Sequence, residues 1–164
     1  MTYLPVVVRA DDAEYLPAIA HHLLADSSAT GGALSSHRVT LPRGANGARP
    51  HRHDRGSELF FVLDGALDVL VDRTVLSAAA GDLVVVPPGS AHAFAAAADR
   101  NADVLIVITP GVERFEYLRT VEAIRTGHAA PDALDAHQER YDTFFLDSEI
   151  WAAHLRANSS TRRE

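Results

Sequence analysis

From Gly32 onward, short apolar or alternating runs recur at nearly even spacing: Leu34–Leu41, Glu58–Leu63, Ala66–Val71, Thr74–Ser77, Asp82–Val86, His92–Ala96 and Val104–Thr109. Turn-forming breaks divide them at Pro42-Arg-Gly, Asp64-Gly65, Ala80-Gly81, Pro87-Pro-Gly89 and Asp99–Asp103. Short strands separated by Gly/Pro turns predict an all-β sandwich or barrel and not βαβ units. Leu83-Val-Val-Val86 and Val104-Leu-Ile-Val-Ile108 are apolar on both faces. Such strands have to be covered twice, by the barrel interior and by another layer or subunit. Upstream, Pro5–Arg9 reads as a short β-branched strand. Ala18–Asp26 has helical propensity, but it is short and runs into the turn Ser27-Ser-Ala-Thr-Gly-Gly32.

Past Pro110-Gly111 the apolar period moves towards 3.6. Phe115, Leu118, Val121 or Glu122, and Ile124 follow helical spacing, and Gly127 supplies a stop. Pro131 opens a second predicted helix reaching about Arg140. Asp147 or Ser148 caps a third over Glu149–Ala157. The expected organisation is a barrel with N-terminal strands over 1–111, a helical extension packed on the same domain over 112–157, and a flexible tail over 158–164.

Composition narrows the chemistry. The 164 residues are 47% hydrophobic, enough for one well-filled core. Without cysteine there are no disulfides, zinc fingers or iron–sulfur sites. The net charge of −7 repels phosphate backbones, and the basic pair Arg162-Arg163 makes no nucleic-acid footprint. No apolar run approaches the ~20 residues of a membrane span. A soluble cytoplasmic protein with no nucleic-acid or membrane partner is therefore expected.

The candidate chemistry begins at His51-Arg-His53-Asp-Arg-Gly-Ser-Glu58. On a strand, side chains at i and i+2 share a face, so His51 and His53 converge, and Glu58 opens the next run. Imidazoles plus a carboxylate suit one divalent transition metal: iron, nickel, cobalt, manganese, copper or zinc. A third histidine, His92, follows the strand and turn Gly81-Asp-Leu-Val-Val-Val-Pro87-Pro-Gly89-Ser-Ala.

Together these stretches resemble the cupin superfamily. Its first motif is met at His51, His53, Glu58 and Gly65, and its second at Gly81, Pro87, Gly89 and His92. Two positions depart from the pattern: Gly44 lies one place from the usual upstream glycine, and Ala96 replaces a frequent asparagine. The resemblance implies a double-stranded antiparallel jelly-roll barrel, mainly β, with His51, His53, Glu58 and His92 holding the metal inside its mouth. Thr109-Pro-Gly-Val-Glu-Arg-Phe-Glu116 and Ser27-Ser-Ala-Thr-Gly-Gly-Ala-Leu34 are similar to the single-domain quercetin 2,3-dioxygenase-like cupins of actinobacteria. On that likeness Ala18–Asp26 is a strand.

If Glu58 faces the metal, strand parity turns Phe60 and Val62 the same way, and Leu59, Phe61 and Leu63 towards the opposite layer. Phe94 and Ala96 follow His92 inward. His37 is either a histidine hydrogen-bonded at the barrel rim or a substrate contact, and no arginine or lysine falls at an identified inward position. The aromatics Phe115, Tyr117, Tyr141, Phe144, Phe145 and Trp151 form core between helices and barrel, or else a lid. The resemblance implies an oxygenase acting on a flat aromatic or polyketide-like hydroxyl or enol, with dioxygen as co-substrate and Glu58 as ligand and general base. A metal-dependent aromatic polyketide cyclase and a non-catalytic binding protein are the alternatives. A homodimer is expected from the doubly apolar strands.

Overall fold

Two antiparallel sheets face each other across an apolar interior in the computed structural model, which describes residues 4–161. The basic pair Arg162-Arg163 and the last residues of the expected tail lie outside the described residues. In chain order the strands are β1 (Glu14–Leu16), β2 (His21–Ala25), β3 (Ser35–Leu41), β4 (His51–Arg52) and β5 (Ser57–Val71). They continue with β6 (Thr74–Ala79), β7 (Leu83–Val86), β8 (His92–Ala96), β9 (Ala102–Thr109) and β10 (Phe144–Phe145). Two helices follow the barrel, α1 (Phe115–Arg125) and α2 (Glu149–Thr161). This is the mainly antiparallel jelly-roll with helical extension that the sequence predicts. No helix among the described residues is long and apolar enough to cross a membrane.

The first sheet runs β1-β2-β3-β9-β5-β7, and the second runs β6-β5-β8-β4-β10. Strand β5 belongs to both. The sequence reading placed a strand break at Asp64-Gly65; instead, one 15-residue strand bends there without ending. Its register slips between Val62 and Asp64, and Gly65 takes φ +74. A β-carbon at Gly65 would lie 1.9 Å from the Asn101 carbonyl oxygen, so no other residue fits the bend. Inward-facing Phe60, Val62, Leu67 and Val69 then fill one core with Val39, Phe94, Val104 and Ile106.

Elsewhere the outcomes divide by how far each signal was local. Pro5–Arg9 forms no strand and is exposed, because no neighbouring strand takes up its backbone. Within Ala18–Asp26 the strand β2 wins over helical propensity, because its alternate residues His21 and Leu23 are buried. Pro131–Arg140 is turns and one 3₁₀ turn at Asp135–His137, with only Leu134 buried. Helix α2 starts as predicted, its first turn capped by Ser148 Oγ accepting from Trp151 N at 3.2 Å, and it continues through 158–161, which were expected to fray.

The two outer faces are treated differently. On the second sheet, Leu70, Ala93 and Ala95 are covered by Trp151 of α2. His154 of the same helix bonds Asp68 at 2.9 Å, and Asp68 also accepts from Ser77 Oγ at 2.9 Å. On the first sheet, Phe61, Leu63, Leu83 and Val85 remain 36–55% exposed, and no helix among the described residues covers them. Gly65→Ala is expected to lower stability by about 3 kcal/mol, from the left-handed backbone and the clash with Asn101. A urea midpoint within 0.3 M of the unsubstituted protein would contradict this account of the bend.

Candidate metal centre

The barrel brings the four predicted ligands together because three of them sit on adjoining strands. His51 of β4 pairs directly with His92 of β8, and Glu58 enters from the start of β5. All four are buried, and one ligand atom from each lies within 4.8 Å of the others. The three imidazoles point Nε2 at the same carboxylate oxygen, Glu58 Oε2: His92 at 2.6 Å, His53 at 3.1 Å and His51 at 3.8 Å.

Their other nitrogens decide what the site is built for. His51 Nδ1 donates to the Arg49 carbonyl at 2.8 Å, His92 Nδ1 to the Ser90 carbonyl at 3.0 Å, and His53 Nδ1 to the Asp142 carbonyl at 2.5 Å. A carbonyl only accepts, so each Nδ1 carries a hydrogen and each neutral imidazole turns an Nε2 lone pair inward. Three nitrogen lone pairs and a carboxylate oxygen thus face one another, an arrangement that a cation between them satisfies. His51 Nε2 in particular is buried without a hydrogen-bond partner. This donor set fits a divalent metal held by three imidazoles and one carboxylate, with backbone carbonyls fixing ring orientation behind it.

The electrostatics agree. Burial pushes the His51 imidazole down to about 4, against the pull of Glu58. Burial alone would raise the Glu58 carboxyl, but the three imidazoles of His51, His53 and His92 gathered around it outweigh burial and hold the group well below the usual carboxylate range. At neutral pH the site therefore offers an ionised carboxylate and a neutral His51.

One residue of the site went unread in the sequence. Asp142 is buried, has φ +47, and comes from the extension, 89 residues beyond His53. Besides holding His53 by its carbonyl, it accepts from Asp54 N at 2.9 Å through Oδ1, and from Arg55 N and Gly56 N at 3.1 Å through Oδ2. The loop between His53 and Glu58 is thereby fixed from outside. Neither spacing nor local pattern marks an aspartate that acts over such a separation.

A cavity of about 880 Å³ opens beside His51. Tyr117 and Leu118 of α1, Phe145 of β10, and Leu41, Arg49 and Phe94 line it. Of the predicted substrate residues, Phe94 lines the cavity, and Phe60 packs against it at 5.3 Å and against His92 at 6.3 Å. Val62 lies deeper, fully enclosed in the core. His37 is buried, its ring 5.2 Å from that of His21. Burial drives His37 well below its ordinary value and His21 to about 4. The expectation of no inward arginine is corrected: Arg114, between β9 and α1, is 4% exposed, with its guanidinium 4.1 Å from the Tyr117 ring centre.

The family model of the cupin domain matches residues 37–108. Among solved structures, the chain is similar to a cupin protein from Bacteroides fragilis at 20% identity, covering 66% of this chain and 85% of that one, with a TM-score of 0.51. A cupin-like protein from Thermotoga maritima is similar at 21% identity, over 55% and 67% of the two chains, with a TM-score of 0.51. A variant of Streptomyces Pac13 with uridine is similar at 19% identity, over 70% and 87%, with a TM-score of 0.52. Pac13 is a nucleoside dehydratase. These likenesses concern the fold. No protein of curated function matches the chain.

Asp142→Ala is expected to weaken metal affinity about 10–100-fold, because the carboxylate that ties down the loop between His53 and Glu58 is lost. Titration of the metal-free variant with cobalt or nickel checks this, and unchanged affinity would remove Asp142 from the site. Acid should also destabilise the metal-free protein. His21 stays neutral in the fold down to about 4, whereas an unfolded histidine titrates near 6.5. Between those values the unfolded chain binds more protons, so stability falls as pH drops, by about 3 kcal/mol for this group once pH is below 4. Urea midpoints of the metal-free protein measured from pH 7 to 4 should decline accordingly.

Proposed function

Starting from a chain that belongs to the cupin superfamily, we propose that it is a metal-dependent oxygenase acting on a flat, hydroxylated aromatic or polyketide-like enol. The observation that carries this reading is the disposition of Glu58. All three imidazoles approach Oε2, which leaves Oε1 to accept a proton. A divalent metal would be held by His51, His53, Glu58 and His92 and would supply Lewis acidity there.

The chain's own residues do the rest. An enol or phenol presents an acidic hydroxyl whose proton a carboxylate can take. Glu58 Oε1 takes that proton and leaves the substrate as an oxyanion. Phe94 and Tyr117 offer flat apolar surface on two sides of the cavity, and Phe145 stands with Arg49 over its ring at 3.5 Å. The extension therefore acts as a wall of the site, excluding water where the oxyanion forms.

We propose that a second copy of the chain covers the doubly apolar first sheet. Phe61, Leu63, Leu83 and Val85 form a contiguous exposed face with Leu59, Leu105 and Val107 half-buried among them. The corresponding face of the second sheet is closed by α2, and a two-fold contact closes this one. Sedimentation should give a dimer, and Phe61→Lys with Leu83→Lys a folded monomer; a monomeric unsubstituted protein would refute the contact.

Oxygen uptake with flavonols or related enols by iron-, cobalt- or nickel-loaded protein tests the reaction. Glu58→Gln should retain its fold and lose about 10²–10⁴-fold in turnover. No uptake across such a panel would sink the oxygenase, and product formed without oxygen would replace it with a cyclase.

A further inference from the structure

His21 is prepared like a metal ligand but stands outside the metal-binding set. Its Nδ1 donates to the carbonyl two residues back, that of Ile19, at 2.6 Å. His51 and His92 do the same with Arg49 and Ser90. In each case the carbonyl fixes the tautomer and leaves a lone pair on Nε2. At His51 and His92 that lone pair is turned to Glu58, whereas His21 is not part of the cluster of His51, His53, Glu58 and His92. Among the described residues, nothing donates to His21 Nε2. The buried side-chain atoms that lack both a partner and open space around them belong to His22, Ser35, His37, His51 and Arg114. His21 Nε2 is not one of these, so it keeps open space in front of it.

That space is the cavity beside the metal centre. His21 lines it together with Ile19, Leu41 and Leu118, so the free lone pair sits among apolar side chains. His51 lines the same cavity, which opens both histidines to one ligand. The His21 imidazole is neutral at neutral pH, since burial holds it down to about 4. Its Nε2 therefore only accepts. The ring is set before any ligand arrives. Strand β2 pairs His21 with Leu16 on one side and Val39 on the other, and the His37 ring stacks on it at 5.2 Å. Glu122 of α1 accepts from the N–H groups of Ala18 and Ile19, each at 3.0 Å, and so fixes the turn that supplies the Ile19 carbonyl. An acceptor oriented in this way and left open suits one donor from a ligand.

We propose that His21 Nε2 accepts a hydrogen bond from a second hydroxyl of the substrate, remote from the one at Glu58, so that the cavity selects polyhydroxylated aromatics. The inference rests on this cavity being the substrate site, as read above, but not on the reaction performed there. A ligand without the second hydroxyl leaves the acceptor unpaired in apolar surroundings and binds more weakly. A methyl ether at the same place carries oxygen without its hydrogen, and sets one lone pair against another.

Calorimetry with metal-free protein and symmetric dihydroxynaphthalene isomers, each beside its monomethyl ether, tests the contact without interference from metal chelation. At least one diol should bind about tenfold more tightly than its ether, as one neutral hydrogen bond allows. His21→Phe keeps a flat ring against His37 but has no lone pair, and should reduce that preference below about twofold. In the unsubstituted protein with isotopically labelled histidine, the same diol should move the His21 Nε2 resonance and leave Nδ1 in place. The ether should move neither, and this measurement stands even if His21→Phe fails to fold. Equal affinity for diol and ether throughout, no binding of any at millimolar concentration, a preference kept by the folded variant, or an unmoved Nε2 resonance would overturn the proposal. If the oxygenase reading alone fails, oxygen uptake is absent and the diol preference remains. If the contact alone fails, oxygen uptake with enols persists and the preference is missing.

Discussion

The structure depends on one unfavourable arrangement made favourable: a carboxylate and three imidazole lone pairs enclosed together in an apolar barrel. Each histidine gives its Nδ1 hydrogen to a backbone carbonyl, so the rings are locked with their lone pairs towards Glu58. Desolvation makes every one of these groups expensive in isolation, and the cluster is stable only as a set. The carbonyls of Arg49, Ser90 and Asp142 belong to three separate stretches, so the site constrains the chain well beyond its own strands.

This view changes the standing of the C-terminal third. By composition it reads as helices packed on a finished barrel. In the structure Asp142 orients the candidate ligand His53 and fixes the loop to Glu58, Tyr117 and Phe145 line the cavity, and Thr143 accepts from Arg114. Trp151 does the conventional work of covering an outer face. The extension therefore combines packing on the outer face of the second sheet with completion of the site inside the barrel.

Legibility in the sequence followed distance along the chain. His51, His53, Glu58 and His92 were readable because strand parity and two fixed-spacing motifs carry them, and the helix α1 because its apolar period is local. Asp142 and Arg114 were not, since their roles arise from contacts with His53 and Tyr117 made only after folding. Pro5–Arg9 shows the converse: β-branched composition gives a strand only where another strand accepts its hydrogen bonds. At Ala18–Asp26 the same rule ran the other way, and pairing with β3 overrode helical preference. The Asp64-Gly65 pair had the chemistry of a turn, but pairing on both sides kept the strand continuous through it.

The bend at Gly65 has a mechanical consequence. Glu58 stands near the start of β5, while His92 pairs with Val71 at its end. Fully extended, the intervening residues would hold these groups about 40 Å apart, yet they touch at 2.6 Å. The strand is thus bowed into a nearly closed loop, and the metal centre is the clasp that fastens its two ends. An ion seated there would join the two ends of one strand whose bend falls at a glycine, Gly65.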